Sequence, residues 1–335
     1  MTDVSVVVLA YLDEPLLSEC IDAILASEGV DVDVLLVDNG SPDVARLIPD
    51  TRVRVLDPGY NTGFAGGCNL AARAARHATL VFVNSDLIVA HDALARLIVP
   101  LRDETVGLVT GAVLLPGEPL IINSVGNPIN FLMFSWSGFY GEPYEEHAES
   151  CEVTGVSGAL FACTASHWEC LGGFDDEYLA YSEDADISLR TWQMGRKVVY
   201  ESRAIGIHHY EFTPSDQKWF LLERNRLINF FTLYRAGSTA LLLPAFVLVE
   251  LGILVVSLRG GWWRKKVASW TWAGSNRHYL SERRRRVAAA KSTSREWTTR
   301  LTGSVAIPAK FDVQVPAVVN TFLTGYWSCV SRWMS

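Results

Sequence analysis

Residues 32–41 read VDVLLVDNGS. The first six, Val32–Val37, are mostly β-branched or aliphatic, and they stop abruptly at Asp38-Asn39-Gly40-Ser41. A short apolar run closed by a turn signal reads as a strand buried in a covered sheet. The same grammar recurs on either side. Val4–Leu9 (VSVVVL) precedes it, Arg52–Leu56 follows it, Thr79–Val83 (TLVFV) ends at Asn84-Ser85-Asp86, and Val106–Gly111 adds a further run. Between them, Leu16–Ser27, Asn69–His77 and Ala93–Leu101 read as helices. Strands alternating with helices predict an α/β fold on a doubly wound, mostly parallel sheet. Ligands bind such sheets at the carboxyl ends of the strands. Asp38 and Asp86, each just past a strand, therefore stand on the expected binding rim.

Beyond residue 116 the pattern loosens into a Gly-, Pro- and aromatic-rich stretch that reads as loops or short antiparallel strands. Val153–Thr164 reads as a strand segment. Ser182–Met194 reads as a helix with Gly195 at its carboxyl cap, and Val198–Tyr200 and Ala204–Ile207 as extended runs ending at His208-His209. After about residue 216 the character changes. Asp216–Tyr234 reads as a helix rich in aromatics and Arg, and Ala240–Leu258 is almost wholly apolar. The expected organisation is a catalytic domain over 1–215 and a helical, apolar and basic extension over 216–335.

The net charge of −8 argues against nucleic acid as a partner. Its distribution says more. Residues 259–300 carry 12 Lys and Arg against 2 acidic residues, whereas the rest of the chain holds 17 basic and 35 acidic ones. An acidic body with a basic tail implies two different partners. The six cysteines form no C-x-x-C pair and read as reduced thiols.

Three constellations can carry chemistry. A nucleoside diphosphate needs a divalent cation, Mg²⁺ or Mn²⁺, where it meets an aspartate. Asp86 stands where such an ion can bind, and Asp38 can accept from the N–H of a uracil or thymine; helix or turn capping is the plainer reading of each. Residues 61–69, NTGFAGGCN, let backbone approach a phosphate just before a helix. Ser182–Arg190 (SEDADISLR) places three carboxylates at a helix start. The helix dipole explains part of that, and an Asp186–Arg190 pair four residues apart explains more. Glu183 or Asp184 remains free in this reading to act as a general base toward a hydroxyl. His208 or His209, at a strand end, is a plausible further metal ligand.

In this order, VSVVVLAY (4–11), VDNGS (37–41), NTGFAGGCN (61–69), NSD (84–86) and GGFDDEYLAYSEDADISLR (172–190), the sequence resembles the family 2 glycosyltransferases with the GT-A fold. The resemblance covers residues 3–212. It implies an inverting transferase in which Tyr11 and Asp38 contact the nucleobase and Asn61 and Asn69 lie near the ribose and diphosphate. Gly63, Asn84 and Ser85 complete the donor contacts, Asp86 and His208 hold the metal, and Asp184 of the Glu183-Asp184 pair is the base. The strand-end motif begins with Asn84 where many relatives have Asp, so cation binding leans on Asp86, His208 and the diphosphate. Within the family the chain looks most like rhamnosyltransferases, which implies a dTDP- or UDP-sugar donor, rhamnose foremost, and a glycan or lipid-linked acceptor.

For the tail, the expectation is helices lying in the interface at the cytoplasmic side of the cell membrane. Pro244 and Glu250 interrupt the apolar run, and Trp and Arg/Lys crowd its carboxyl side. A true span by Ala240–Leu258, and burial of those helices against the catalytic domain or a homodimer partner, are the competing expectations. Two other activities compete with the main reading: a catalytically silent nucleotide-sugar-binding partner, and a transferase that charges polyprenyl phosphate itself. A nicotinamide-dependent oxidoreductase is disfavoured, because Ala10-Tyr11-Leu12-Asp13 stands where its glycine fingerprint belongs.

Overall fold

β1 (Thr2–Ala10) and β2 (Val30–Asp38) pair in parallel without a slip, from Thr2 against Val30 to Ala10 against Asp38. That register brings Tyr11, the residue after β1, to the same edge as Asp38. The computed structural model describes residues 2–334 except 43, 45–47, 49, 210–214, 291–295 and 307–314. Two compact units are present: Met1–Asn127, Ser137–Thr191 and Arg196–Glu211 form the first, and Pro128–Trp136, Trp192–Gly195 and Phe212–Ser335 the second. The boundary expected at 215/216 abuts residues 210–214, which lie outside the described residues.

In the first unit β3 (Val53–Leu56) lies beside β2, and β4 (Thr79–Val83) lies on the other side of β1. Antiparallel β9 (Leu160–Thr164) joins β4 to β6 (Val106–Leu115), and β10 (Lys197–His208) follows in parallel with β6. A short antiparallel β5 (Leu87–Val89) closes that edge, giving the order β3-β2-β1-β4-β9-β6-β10-β5. β7 (Ile121–Ser124) pairs with β6, and β8 (Cys151–Glu152) with β10. Six strands run one way, so the sheet is mostly parallel, with its antiparallel members in the half that carries β9.

Helix α1 (Leu17–Leu25) buries Leu17, Cys20, Ile21 and Ile24, the spacing of one helix face. It joins Val4, Val6, Val8, Val34 and Leu36 in the core under α3 (Ala93–Leu97). Elsewhere in this unit Phe82 stacks on Phe161 and Trp168, at 4.4 and 4.6 Å between centroids, and Trp168 meets Phe174 edge-on. This aromatic pile seats the loop after α4 (Ala165–Leu171), which leads to α5 (Glu183–Gln193).

Some expected boundaries move. The helix expected at Asn69–His77 is α2, Gly63–Ala74, so the glycine-rich loop is largely helical. Of Val153–Thr164 only Leu160–Thr164 is strand. The two extended runs after Gly195 are one strand, β10, whose pairing with β6 shifts between Glu201 and Ile205.

The second unit is helical: α6 (Asp216–Leu233), α7 (Ala236–Arg259), α8 (Trp263–Ser275), α9 (Arg277–Ala290), α10 (Glu296–Thr299) and α11 (Ala317–Val330). Residues 128–136 belong to it. Asn130 donates to the carbonyls of Thr302, Gly303 and Ser304, and the Tyr234 hydroxyl donates to Phe131 O at 2.8 Å. Glu250, costly in an apolar helix, is answered by charge. Arg226 of α6 donates to its Oε1, while Lys266 (2.8 Å) and the Trp270 indole of α8 donate to Oε2. Glu223 accepts from the same Arg226 and Lys266, so two buried acids meet two buried bases.

Candidate active site

β5 runs antiparallel to the end of β10 with Leu87 opposite His208, and this pairing decides where Asp86 stands. Asp86 Oδ1 lies 3.0 Å from His208 Nε2, and Asn123 Oδ1 of β7 lies 3.3 Å from Nδ1 on the other side of the ring. His208 is buried and Asp86 partly open. Burial pushes the Asp86 carboxyl up, but the His208 hydrogen bond and the charges of both histidines outweigh it and hold the group below its ordinary value. His209 is exposed and offers its backbone N–H to Asp86 O at 3.0 Å. One carboxylate oxygen facing one braced imidazole is a donor set that fits Mg²⁺ or Mn²⁺, with coordination left for further oxygen ligands.

The second cluster lies at the start of α5. Leu179, Tyr181 and Ser182 all have positive φ (58°, 72° and 65°), a conformation costly for such residues. That turn delivers Glu183 and Asp184. Asp184 Oδ1 accepts from its neighbour's N–H, Ala185, at 2.8 Å, and Oδ2 accepts from Gly158 N–H and Asn127 Nδ2, both at 3.4 Å. Burial raises the Asp184 carboxyl, and these hydrogen bonds offset only part of the rise. Glu183 is more deeply buried and is pushed well up by that burial and by the charge of Asp184; its Oε2 has no hydrogen-bond partner. Two adjacent carboxyls whose environments raise both are suited to holding and moving a proton.

The turn Ser157-Gly158-Ala159 ties the two clusters together. Gly158 reaches Asp184, and Ala159 O accepts from Asn84 N–H at 3.0 Å. The Asn84 carbonyl in turn accepts from Leu87 N–H and from Cys20 Sγ, with half-buried Ser85 between Asn84 and Asp86.

Among the expected donor contacts, Tyr11 is half exposed on the rim. Asp38 Oδ1 accepts from Gly40 and Ser41 N–H, the turn-capping role named as its plainer reading. Asn61 Oδ1 accepts from Gly63 N–H. Gly63 has φ +71°, and a Cβ there meets Leu179 O at 2.7 Å, so only glycine fits. Asn69 is buried, and its amide is spent on the loop before α5: Nδ2 donates to Phe174 O and Asp176 Oδ1, and Oδ1 accepts from Phe174 N–H. Its geometry is that of a brace.

Sequence reasoning missed four residues. Asn39 accepts from the Thr62 backbone and hydroxyl and donates to Gly63 O, which ties the end of β2 to the glycine loop. Its place inside VDNGS was the available signal. Asn123 and Asn127 come from the stretch after residue 116, where no periodicity marks them. Tyr181 stands beside Tyr11 and Glu183, and both raise its phenol after burial does.

Residues 5–162 match the family described as Glycosyl transferase family 2. The succinoglycan biosynthesis protein ExoO of Rhizobium meliloti (strain 1021) is 38% identical over 100 residues, 29% of each chain. Glycosyltransferase GlyG of Streptococcus pneumoniae serotype 4 (strain ATCC BAA-334 / TIGR4) is 31% identical over 114 residues, 32% of this chain and 38% of that one. The chain thus spans well under half the length of these relatives. Among solved structures, GalNAc-T7 with UDP, GalNAc and Mn²⁺ superposes with a TM-score of 0.55 at 17% identity, over 68% of this chain and 47% of that one. The mannosyltransferase PcManGT from Pyrobaculum calidifontis, in complex with GDP-Man and Mn²⁺, gives 0.50 at 18%, over 98% and 87%. These structures share the fold, and the match to glycosyl transferase family 2 covers residues 5–162, just under half of the chain. Asp184 and His208 lie beyond the matched residues.

Proposed function

We propose that this chain is an inverting glycosyltransferase that moves a sugar from a nucleoside diphosphate to a hydroxyl acceptor in polysaccharide biosynthesis. The observation that carries the reading is the Ser157–Ala159 turn. It joins the strand end bearing Asp86 and His208 to the carboxyl pair Glu183-Asp184, which supports reading the first two as cation ligands and Asp184 as the base. Asp184 takes the acceptor proton as the hydroxyl oxygen attacks the anomeric carbon, and the bond from that carbon to the diphosphate breaks on the opposite side. Asp86 and His208 would hold Mg²⁺ or Mn²⁺, whose contribution is to stabilise negative charge on the departing diphosphate. Tyr11 and the open side of Asp38 face the base, with Asn61, Gly63, Asn84 and Ser85 along the ribose and diphosphate. Asn69 braces the loop behind them.

The likeness to rhamnosyltransferases in NTGFAGGCN and GGFDDEY supports a dTDP- or UDP-sugar donor, with rhamnose the first sugar to test. ExoO is named for succinoglycan biosynthesis, which supports a glycan or lipid-linked acceptor. The basic tail and apolar α7 support a peripheral location at the cytoplasmic face of the membrane.

The test is calorimetric titration with dTDP, UDP and GDP, each with and without Mn²⁺ or Mg²⁺. Tight, cation-dependent binding of one nucleotide is expected, lost in Asp86→Ala. Failure of all three to bind overturns the reading.

A further inference from the structure

Helix α7 is inside out. Its buried stripe, Thr239, Leu242, Phe246, Glu250 and Ser257, includes three polar side chains, whereas Leu241, Val247, Leu248, Leu251, Val255 and Leu258 are 41–55% exposed. A helix on a water-soluble surface has the reverse arrangement. An unbroken apolar face of this length exceeds what soluble surfaces ordinarily leave open. α11 extends it: the Tyr326 hydroxyl donates to Leu241 O, and Val318 and Phe322 of the same helix are exposed.

Length and composition alone would let α7, 24 residues long, cross a bilayer. Its inner face forbids it. Glu250 is held by Arg226 of α6 and by Lys266 and Trp270 of α8, and α8 also carries exposed Arg264 and half-buried Lys265. Inserting α7 across hydrocarbon would carry these charged neighbours with it. One side of α7 is available to lipid, and the other is sealed by charge.

Chemistry at the ends of the face identifies the occupant. α7 ends at Arg259, Trp262, Trp263 and Arg264 follow, and α11 runs into Arg332 and Trp333, the latter 77% exposed. Tryptophan with arginine at the border of an apolar surface matches the headgroup layer. The strongly basic composition of residues 259–300 complements anionic lipid, whereas a symmetric contact through this face would set that stretch against its own copy.

We infer that the outer face of α7, with the exposed residues of α11, docks in the plane of an anionic membrane surface without crossing it; this deepens the peripheral location proposed above and rests on that part of the reading alone. The purified full chain is floated with phosphatidylcholine vesicles, with and without phosphatidylglycerol, in the absence of any nucleotide or acceptor. Binding to the anionic vesicles is expected, weakened by added salt. The double variant Leu248→Glu/Leu251→Glu should bind roughly 100-fold more weakly, with an unchanged circular dichroism spectrum and melting midpoint. No binding by the parent chain, or equal binding by the folded double variant, overturns the inference. So does a dimer in sedimentation that this variant dissociates while vesicles are ignored, since the face then belongs to a second copy. Membranes from cells making the full chain are also washed with alkaline carbonate: release supports in-plane docking, and retention overturns it in favour of a span. Because vesicle binding needs no donor, a chain that floats but never binds nucleotide would sink the transferase reading and leave this one standing.

Discussion

The two units treat buried charge in opposite ways. On the rim of the sheet, Glu183 and Asp184 sit side by side with like charge, Glu183 Oε2 has no partner, and the backbone before them is strained at Leu179, Tyr181 and Ser182. Among α6, α7 and α8, Glu223 and Glu250 are matched by Arg226 and Lys266, with the Trp270 indole completing the set. A paired network holds helices in place, whereas an under-satisfied pair stores the proton affinity that a base requires. The comparison teaches that burial and charge alone do not mark a reactive site. What marks it is compensation left incomplete.

Breaking each region should therefore have a different consequence. The largest effect is expected from Glu250→Ala, which leaves Arg226 and Lys266 facing each other without one acid. Urea unfolding should register a loss of about 3–5 kcal/mol, with little change in nucleotide affinity for the protein that remains folded. Next comes Asp184→Asn, which preserves shape and removes the base. Turnover should fall by roughly 10²-fold or more, while the unfolding midpoint and the calorimetric affinity for donor nucleotide stay put. Normal turnover in that variant would remove Asp184 from its assigned role.

The same contrast explains what could be read in advance. Strands β1, β2, β3, β4 and β6 announce themselves because each is an apolar run ended by a turn signal, and helix α5 because its carboxylates and Gly195 bracket it. Strands β5, β7 and β8, of three, four and two residues, carry too few side chains for any period to emerge. Asp86 and His208 were nameable from the motifs, but their meeting depends on β5 pairing with β10, a long-range event. Asn123 and Asn127 were out of reach for the same reason, and Asn39 had only its place inside VDNGS to mark it: an asparagine is informative only once its neighbours are known. In the tail, the apolar run of α7 was plain, yet the partners of Glu250 come from α6 and α8, so the cost of that acid could be seen and its compensation could not.

A smaller effect is expected at the hinge between donor loop and base. Gly63→Ala puts a methyl against Leu179 O on a backbone with φ +71°, which should cost about 1–3 kcal/mol of stability in urea unfolding. Because Leu179 also accepts from Ala65 N–H and begins the strained turn, the displacement should raise the KM for donor more than it lowers turnover. Equal stability with unchanged KM would mean that the loop and the turn are not coupled.

The smallest effect sharpens the comparison most, because it tunes the incomplete compensation without removing it. Asn127 is held by Ser124 Oγ at 2.7 Å and donates to both Val156 O and Asp184 Oδ2. Its hydrogen bond favours the ionised form of Asp184 and offsets part of the rise that burial causes. A base works only when deprotonated, so activity must fall as the pH drops through the raised Asp184 value, earlier than for an ordinary aspartate. Asn127→Ala takes away one stabiliser of the carboxylate, so the acid limb of the turnover profile should move to higher pH, with the alkaline side unchanged. At neutral pH the loss should stay below about tenfold, the scale of one hydrogen bond to a charged group. If Asn127 only held the fold, turnover would drop evenly at every pH and the limb would not move; a shift with a level plateau assigns it to the poise of the base.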